Sequence, residues 1–499
     1  MNDHKIYPQL LLLTLIAYAS AQGQAPALDN WLEAVEQVIV REQAFYDVPG
    51  AAVAIVKGDD IIYAEGFGVR DLSSRAPVTP ETLFRIGSTT KSITSLMVAT
   101  YVDEGLLDWD TSVATYVTDF KLPTPALTER ITVAEMMGMG TGLADGINPI
   151  YFGQYSAEEI LDDLENSQIL ENKAPSEVFY YNNHIYAASG YLVPKIQGTP
   201  AETLLEAYRQ DLQTRIFDPI GMTSAAVTDE PATLTDNYAL PYETTLMGEL
   251  RPIANQRIGA IAPAGGVVAS VLDMARYVAT QLHNGVALNG TRVASSEQVK
   301  RTHTVQTKTP DNLFYPGEGL GYAMGWGVTE YRGHRLVHHA GGVSGYRSEM
   351  MLVPDADMAV VVLTNSYFGS NLATAVLFAA IDEYFGYGNE SLEQIRSGYE
   401  AKLSDRAQLK EDVVTTLNTE AIEPFLGDYA KGWQLVLEEG ALWLRNTDWS
   451  FALLPTNDGN YVTGTGGDLV GLPVHVDEGA NGVISLSLAD LDTVKKLGR

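Results

Sequence analysis

Strand-forming runs lie at both ends of the first 385 residues, with helix-forming sequence between them, and this restricts the folds open to the chain. Ala51–Val56 and Ile61–Gly68 flank the turn cluster Lys57-Gly58-Asp59-Asp60 and predict a hairpin. Arg335–His339, Ser348–Val353 and Met358–Thr364 predict further strands, followed by a helix over 370–385. Leu28, Trp31, Leu32, Val35, Val38 and Ile39 recur at helical spacing over 28–46. Ile93, Leu96, Met97 and Tyr101 share one face of a helix over 88–104, which Gly105 stops. Strands at both ends with helices between predict an α+β fold. In it an antiparallel sheet, assembled from both ends and flanked by helices, packs beside a helical subdomain.

The texture changes near residue 391. Residues 391–420 are polar and helix-prone and predict a connector. Beyond it Gln434–Leu437, Leu442–Arg445, Phe451–Leu454, Tyr461–Thr463, Leu469–Val470, Val474–Val476 and Val483–Leu488 read as short strands. Turn clusters such as Asn457-Asp458-Gly459-Asn460 separate them, so a small all-β barrel is expected. The domain reading is a hydrolase-sized unit over 22–390, a helical connector over 391–420 and the barrel over 421–499.

Residues 1–21 read as a signal peptide. Lys5 precedes the apolar run Leu10–Ala17, too short to span a bilayer, and Ala19-Ser20-Ala21 forms a cleavage site. The expected location is secreted or periplasmic, with no membrane association after cleavage. Asn289-Gly290-Thr291 and Asn389-Glu390-Ser391 match the glycosylation triplet. Thirty-two Lys and Arg against 63 Asp and Glu leave a net charge of −31, which repels phosphate backbones and argues against nucleic acid as a partner. The absence of cysteine excludes disulfides, thiolate metal sites and a thiol nucleophile. The expected partner is a small-molecule or peptide substrate, and the oligomeric state stays open.

The chemistry-bearing residues form three local groups. In Ser88-Thr89-Thr90-Lys91 the serine opens a helix, where the dipole favours developing negative charge, and the lysine three residues on reaches it. A serine needs such a base to act as a nucleophile; the bland alternative is a helix cap beside a solvated lysine. In Tyr181-Asn182-Asn183 the phenol becomes a base if held beside a cation, and Asn183 can orient lysine or substrate. His338-His339-Ala340-Gly341-Gly342 runs from a strand into a close approach that glycines permit, where amides can point at an oxyanion. Aromatic packing and a strand-end turn are the bland readings of the last two groups. His334, His338 and His339 lack a carboxylate at helical spacing, so no metal is expected, and no dinucleotide or phosphate-loop motif implies a cofactor.

Ser-x-x-Lys, Tyr-x-Asn and His-x-Gly in this order resemble the serine β-lactamase and penicillin-binding-protein superfamily. The branch it is most similar to is the class C-like one, with its D-aminopeptidases, serine peptidases, esterases and transesterases. Phe84-Arg85-Ile86-Gly87, Phe217-Asp218-Pro219-Ile220-Gly221-Met222 and Pro263-Ala264-Gly265-Gly266 add to the resemblance, which spans roughly 35–385. The C-terminal part, from Phe425-Leu426-Gly427-Asp428-Tyr429, resembles the lipocalin-like barrel that some members append. Two departures stand out. Met139-Gly140-Thr141-Gly142-Leu143 lacks the histidine of the usual His-Thr-Ser-Gly-Leu stretch, and His339 stands where β-lactamases carry lysine.

The resemblance implies a secreted serine hydrolase that cleaves a peptide, amide or ester bond through an acyl-enzyme on Ser88. Lys91 and Tyr181 would relay its proton, Asn183 and His339 would position substrate, and the Ser88 and Gly342 amides would hold the oxyanion. Acyl transfer at the same site, or a catalytically silent protein that binds peptides or cell-wall fragments, are the alternatives. An imidazole with the ordinary pKa near 6.5 would let His339 change its charge, and with it the preference for anionic substrates, between pH 5.5 and 7.5.

Overall fold

Gly50–Lys57 is a run of small and branched apolar residues buried along nearly its whole length, which suits only a central strand. In the computed structural model, residues 27–144, 146–170, 178–309, 315–414, 416–479, 483–489 and 491–497 are described. The signal peptide expected over 1–21 lies outside them. Eight strands form the main sheet: β1 (Gly50–Lys57), β2 (Asp60–Asp71), β3 (Ala76–Pro77), β4 (Glu318–Tyr322), β5 (Gly327–Tyr331), β6 (His334–Val343), β7 (Tyr346–Val353) and β8 (Met358–Thr364). Their order is β3-β2-β1-β8-β7-β6-β5-β4. Every pairing is antiparallel, and β1 meets β8 through Ala51↔Thr364 and Val53↔Val362. One sheet from both ends of this region is therefore what the chain builds.

Six helices frame it: α1 (Leu28–Phe45), α2 (Thr90–Asp103), α3 (Asn183–Ile196), α4 (Val271–Leu282), α5 (Gly369–Phe385) and α6 (Glu390–Glu411). The two-residue alternation of β1 divides the core. Ala51, Val53 and Ile55 pack with Trp31, Val35 and Ile39 of α1 and Leu372 and Val376 of α5. Ala52, Ala54 and Val56 face the other way, toward Ile93 and Met97 of α2 and Met274 and Val278 of α4. Thr90 through Tyr101 are all buried, so α2 has no solvent face and is fixed on every side.

The sequence pattern missed β4 and β5, whose glycines dilute the strand signal. Close packing requires two of them: a Cβ on Gly321 would stand 2.5 Å from the Thr307 carbonyl oxygen, and one on Gly327 2.6 Å from the His338 ring.

A second sheet follows α6. Gly427–Asp428 (β9), Gln434–Glu438 (β10), Ala441–Arg445 (β11), Ser450–Pro455 (β12), Tyr461–Thr463 (β13), Pro473–Glu478 (β14), Ile484–Leu488 (β15) and Asp492–Lys495 (β16) pair in sequence order. The meander curls until its ends meet, where Tyr429 bridges Lys496 and the Leu497 N–H donates to the Asp428 carbonyl at 2.8 Å. Leu469–Val470 forms no strand, contrary to expectation. The positive φ angles of Gly466 (118°) and Gly467 (62°) turn the chain into a short 3-10 turn at Gly467–Leu469. Among the described residues no helix is long and apolar enough to cross a membrane.

Candidate active site

Ser88 lies in a 3-10 turn, Gly87–Thr89, that runs directly into α2. Gly87 takes a φ of 51°, and a Cβ there would sit 2.7 Å from the Gly342 nitrogen. A Cβ on Gly341 would stand 2.0 Å from the Ile86 carbonyl oxygen. Glycine at these positions lets the serine turn lie flush against the end of β6. The strand expected over Arg335–His339 runs on through this close approach, with Gly341 and Gly342 paired to Ser348 and Arg347, and the bland alternative of a strand-end turn does not hold.

Lys91, one turn along, is fully buried. Its Nζ is 3.1 Å from Ser88 Oγ, 2.8 Å from Asn183 Oδ1 and 2.8 Å from the Ala264 carbonyl oxygen. Nζ also lies over the Tyr181 ring, 4.7 Å from its centre, and 5.6 Å from that of Tyr186. The Tyr186 hydroxyl donates to the Lys91 carbonyl at 2.7 Å and holds the helix turn. Nζ donates to all three oxygens in this arrangement; an unprotonated amine would keep the Asn183 and Ala264 bonds and accept the serine proton.

Asn183 is the first residue of α3 because Asn182 caps that helix, its Oδ1 accepting from the Ile185 N–H at 2.8 Å. Asn182 also donates to the Leu143 carbonyl at 3.1 Å, and the Tyr180 N–H donates to the Met139 carbonyl at 3.1 Å. The 139–143 run that departs from the family stretch therefore supports the Tyr-x-Asn segment from behind.

His339 faces the same cleft, its ring centre 6.4 Å from that of Tyr181. Its Nδ1 is 2.6 Å from the Ala340 carbonyl oxygen and its Nε2 is 2.8 Å from the Tyr322 hydroxyl. A neutral ring fits this arrangement, donating from Nδ1 and accepting at Nε2. Burial first, and the nearby Lys91 second, push His339 down to about 3. This corrects the expectation that it titrates between pH 5.5 and 7.5. His338 bonds Thr329 and is likewise pushed down to about 3 by burial, while His334 stacks on Phe385, so the three histidines point to three different partners.

Two cavities meet at Ser88. The larger, about 460 Å³, runs along the sheet edge past Tyr181, Tyr322, His339 and Arg347. The smaller, about 180 Å³, lies on the Asn183 side. Ser88, Lys91 and Asn183 are joined by direct contacts, and Tyr181, His339, Gly341 and Gly342 line the larger cavity. Sequence reading missed Tyr322 and Tyr186, for which no local motif exists. It also missed Trp449 and Leu469 of the barrel, which reach the smaller cavity. Ala264 lay within a quoted motif, but its carbonyl contact carries no residue-type signal.

The β-lactamase family model matches residues 35–381. The chain belongs to the β-lactamase family. Among β-lactamase relatives, it is 25% identical over 379 residues to an unguisins hydrolase of Aspergillus violaceofuscus, covering 70% of this chain and 64% of that one. It is 27% identical over 363 residues to a D-aminopeptidase of Gluconobacter oxydans, covering 70% of this chain and 62% of that one. The chain thus spans somewhat less than two thirds of these relatives' lengths. The octameric penicillin-binding protein homologue from Pyrococcus abyssi shares the fold, with a TM-score of 0.62 and 24% identity over 93% of this chain and 100% of that one. The β-lactamase match ends at residue 381, before the barrel begins.

Proposed function

We propose that this chain is an exported serine hydrolase that cleaves a peptide, amide or ester bond of a small-molecule or peptide substrate through an acyl-enzyme on Ser88. The observation that carries the reading is the buried Lys91 amine 3.1 Å from Ser88 Oγ, with Asn183 and the Ala264 carbonyl holding its other side. As Ser88 Oγ bonds to the substrate carbonyl carbon, its proton passes to the Lys91 nitrogen, and the Ser88 and Gly342 amides take the oxyanion. The tetrahedral intermediate collapses by losing the alcohol or amine, which takes a proton through Lys91 and Tyr181. Water then attacks the ester, regenerating Ser88 and releasing the acid. Neutral His339 and Asn183 position substrate.

Treatment with a fluorophosphonate, digestion and mass spectrometry test this directly. The expected adduct sits on the peptide containing Ser88 and is lost in Ser88→Ala. An unlabelled wild-type protein, or an adduct on another residue, contradicts the proposal.

A further inference from the structure

We infer that the C-terminal barrel forms one wall of a subsite beside Ser88 for a compact apolar group of the substrate. Trp449 and Leu469 set its size, and Glu243 is a positioning residue that holds Leu469 in place. This rests on the hydrolase reading above and adds a substrate class to it.

At about 180 Å³ the smaller cavity falls below the roughly 300–1,000 Å³ of sites that hold a whole small molecule, so it takes a piece of one. Ile150, Phe152, Ile258 and Ile261 line it from the sheet-bearing part of the chain, and Trp449 and Leu469 from the barrel. Trp449 directs its N–H to the Ile150 carbonyl at 2.9 Å, which leaves carbon surface for the cavity. Phe451 stacks against the indole, 5.4 Å between ring centres. Branched aliphatic or single-ring groups match these walls.

The two barrel residues are fastened to the hydrolase part. Asp448, beside Trp449, pairs with Arg257 at 2.7 Å, and its side chain is only 1% exposed. Gly466 and Gly467, with positive φ in succession, aim both N–H groups at Glu243 Oε2, at 2.7 and 2.5 Å. Glu243 is fully buried, and its other oxygen accepts from Arg251 Nε at 2.9 Å. The turn that follows these glycines ends at Leu469. A Cβ on Gly466 would stand 2.3 Å from the Phe451 ring, so other residues cannot supply this cradle without rearrangement. A buried carboxylate thus ties the loop bearing Leu469 to β-hairpin Tyr242–Pro252.

The test uses the full-length chain and fluorophosphonates whose single alkyl arm runs from methyl through isobutyl and benzyl to naphthylmethyl. The Ser88 labelling rate is resolved into its saturation constant and limiting rate. Trp449→Ala and Leu469→Ala should move the preference toward the naphthylmethyl arm by about tenfold relative to isobutyl, and Leu469→Phe should move it the other way. Glu243→Gln should follow Leu469→Ala, through a weaker saturation constant for isobutyl with the limiting rate within about twofold. Opposite shifts from enlarging and filling variants cannot arise from general loss of folding. An unchanged arm preference in all four variants, with Ser88 still labelled, overturns the subsite alone. A wild-type protein unlabelled at Ser88 overturns the hydrolase reading and the subsite with it.

Discussion

The main sheet and the barrel meet at one cleft, yet they are assembled on opposite plans. Around Ser88 the contacts join segments far apart in the chain: Lys91 reaches Asn183 across 92 positions and Ala264 across 173. In the barrel each strand pairs with its neighbour in sequence, and the pairings from β9 to β16 never skip one. The first plan fixes reacting groups from many sides, because no single segment can move without breaking contacts to the others. The second yields a separable wall whose loops can change while its core persists. Chemistry is expected to depend on the first region and selectivity on the second.

The largest separation between the two should come from Lys91→Ala. Turnover is expected to fall at least a thousandfold with the fold retained, whereas Trp449→Ala and Leu469→Ala should change substrate ratios far more than the best rate. Comparable losses of maximal rate in both sets, measured by steady-state kinetics with circular dichroism as the fold check, would dissolve the division of labour.

Cutting the chain after Glu411 sharpens it further. The two sheet cores contain no barrel residue, whereas the barrel core borrows Ile150 and Tyr151 from the other side. The shortened protein should fold, label at Ser88 and lose its size selectivity, with Tm lowered by several degrees as those two side chains become exposed. Aggregation on removal of the barrel would show that the sheet cores do not stand alone.

Acid and base sensitivity should also separate by region. Burial lowers His184 to about 4 and His303, His338 and His339 to about 3, and all four lie outside the barrel. At these four histidines the unfolded chain takes up protons near pH 6.5 and the folded chain does not, so their contribution to stability is flat above that pH and falls toward pH 3–4. His338→Gln should reduce the slope of unfolding free energy against pH by about one proton, measured in urea at pH 7 and 5. Buried Glu349, raised to about 8, acts in the opposite sense: its folded form holds a proton that the unfolded form loses near 4.5, so it destabilises increasingly up to pH 8. The stability difference between Glu349→Gln and wild type should therefore grow from pH 5 to 8 and level off. A flat difference would place Glu349 in a more polar setting.

The smallest effect concerns His339. Because it stays neutral, the ratio of specificity constants for matched anionic and neutral esters should hold within about twofold from pH 5.5 to 7.5. A tenfold rise toward acid would show that its ring is protonated there.

What could be read from the chain follows the same division. Ser88 and Lys91 lie one turn apart where the 3-10 turn runs into α2, and Tyr181 and Asn183 lie two residues apart at the start of α3, so local spacing carried both. The barrel was legible because strand and turn alternate along it. Burial of His339 was not, since it depends on Tyr322 from a glycine-diluted strand and on packing that residue identity alone does not encode. Leu469 was misread because β-branched and leucine runs look alike whether they form a strand or a turn. Its place in the cleft is set by two glycines and by Glu243, 226 positions upstream in number.

The central claim is that Ser88 carries the acyl group. A slowly released ester mixed with the protein, quenched in acid within seconds and analysed by intact and peptide mass spectrometry tests it most directly. The account predicts a mass increase equal to the acyl group on the peptide bearing Ser88, formed in wild type and absent in Ser88→Ala. Turnover without any acylated protein, or acyl on a different side chain, would contradict it.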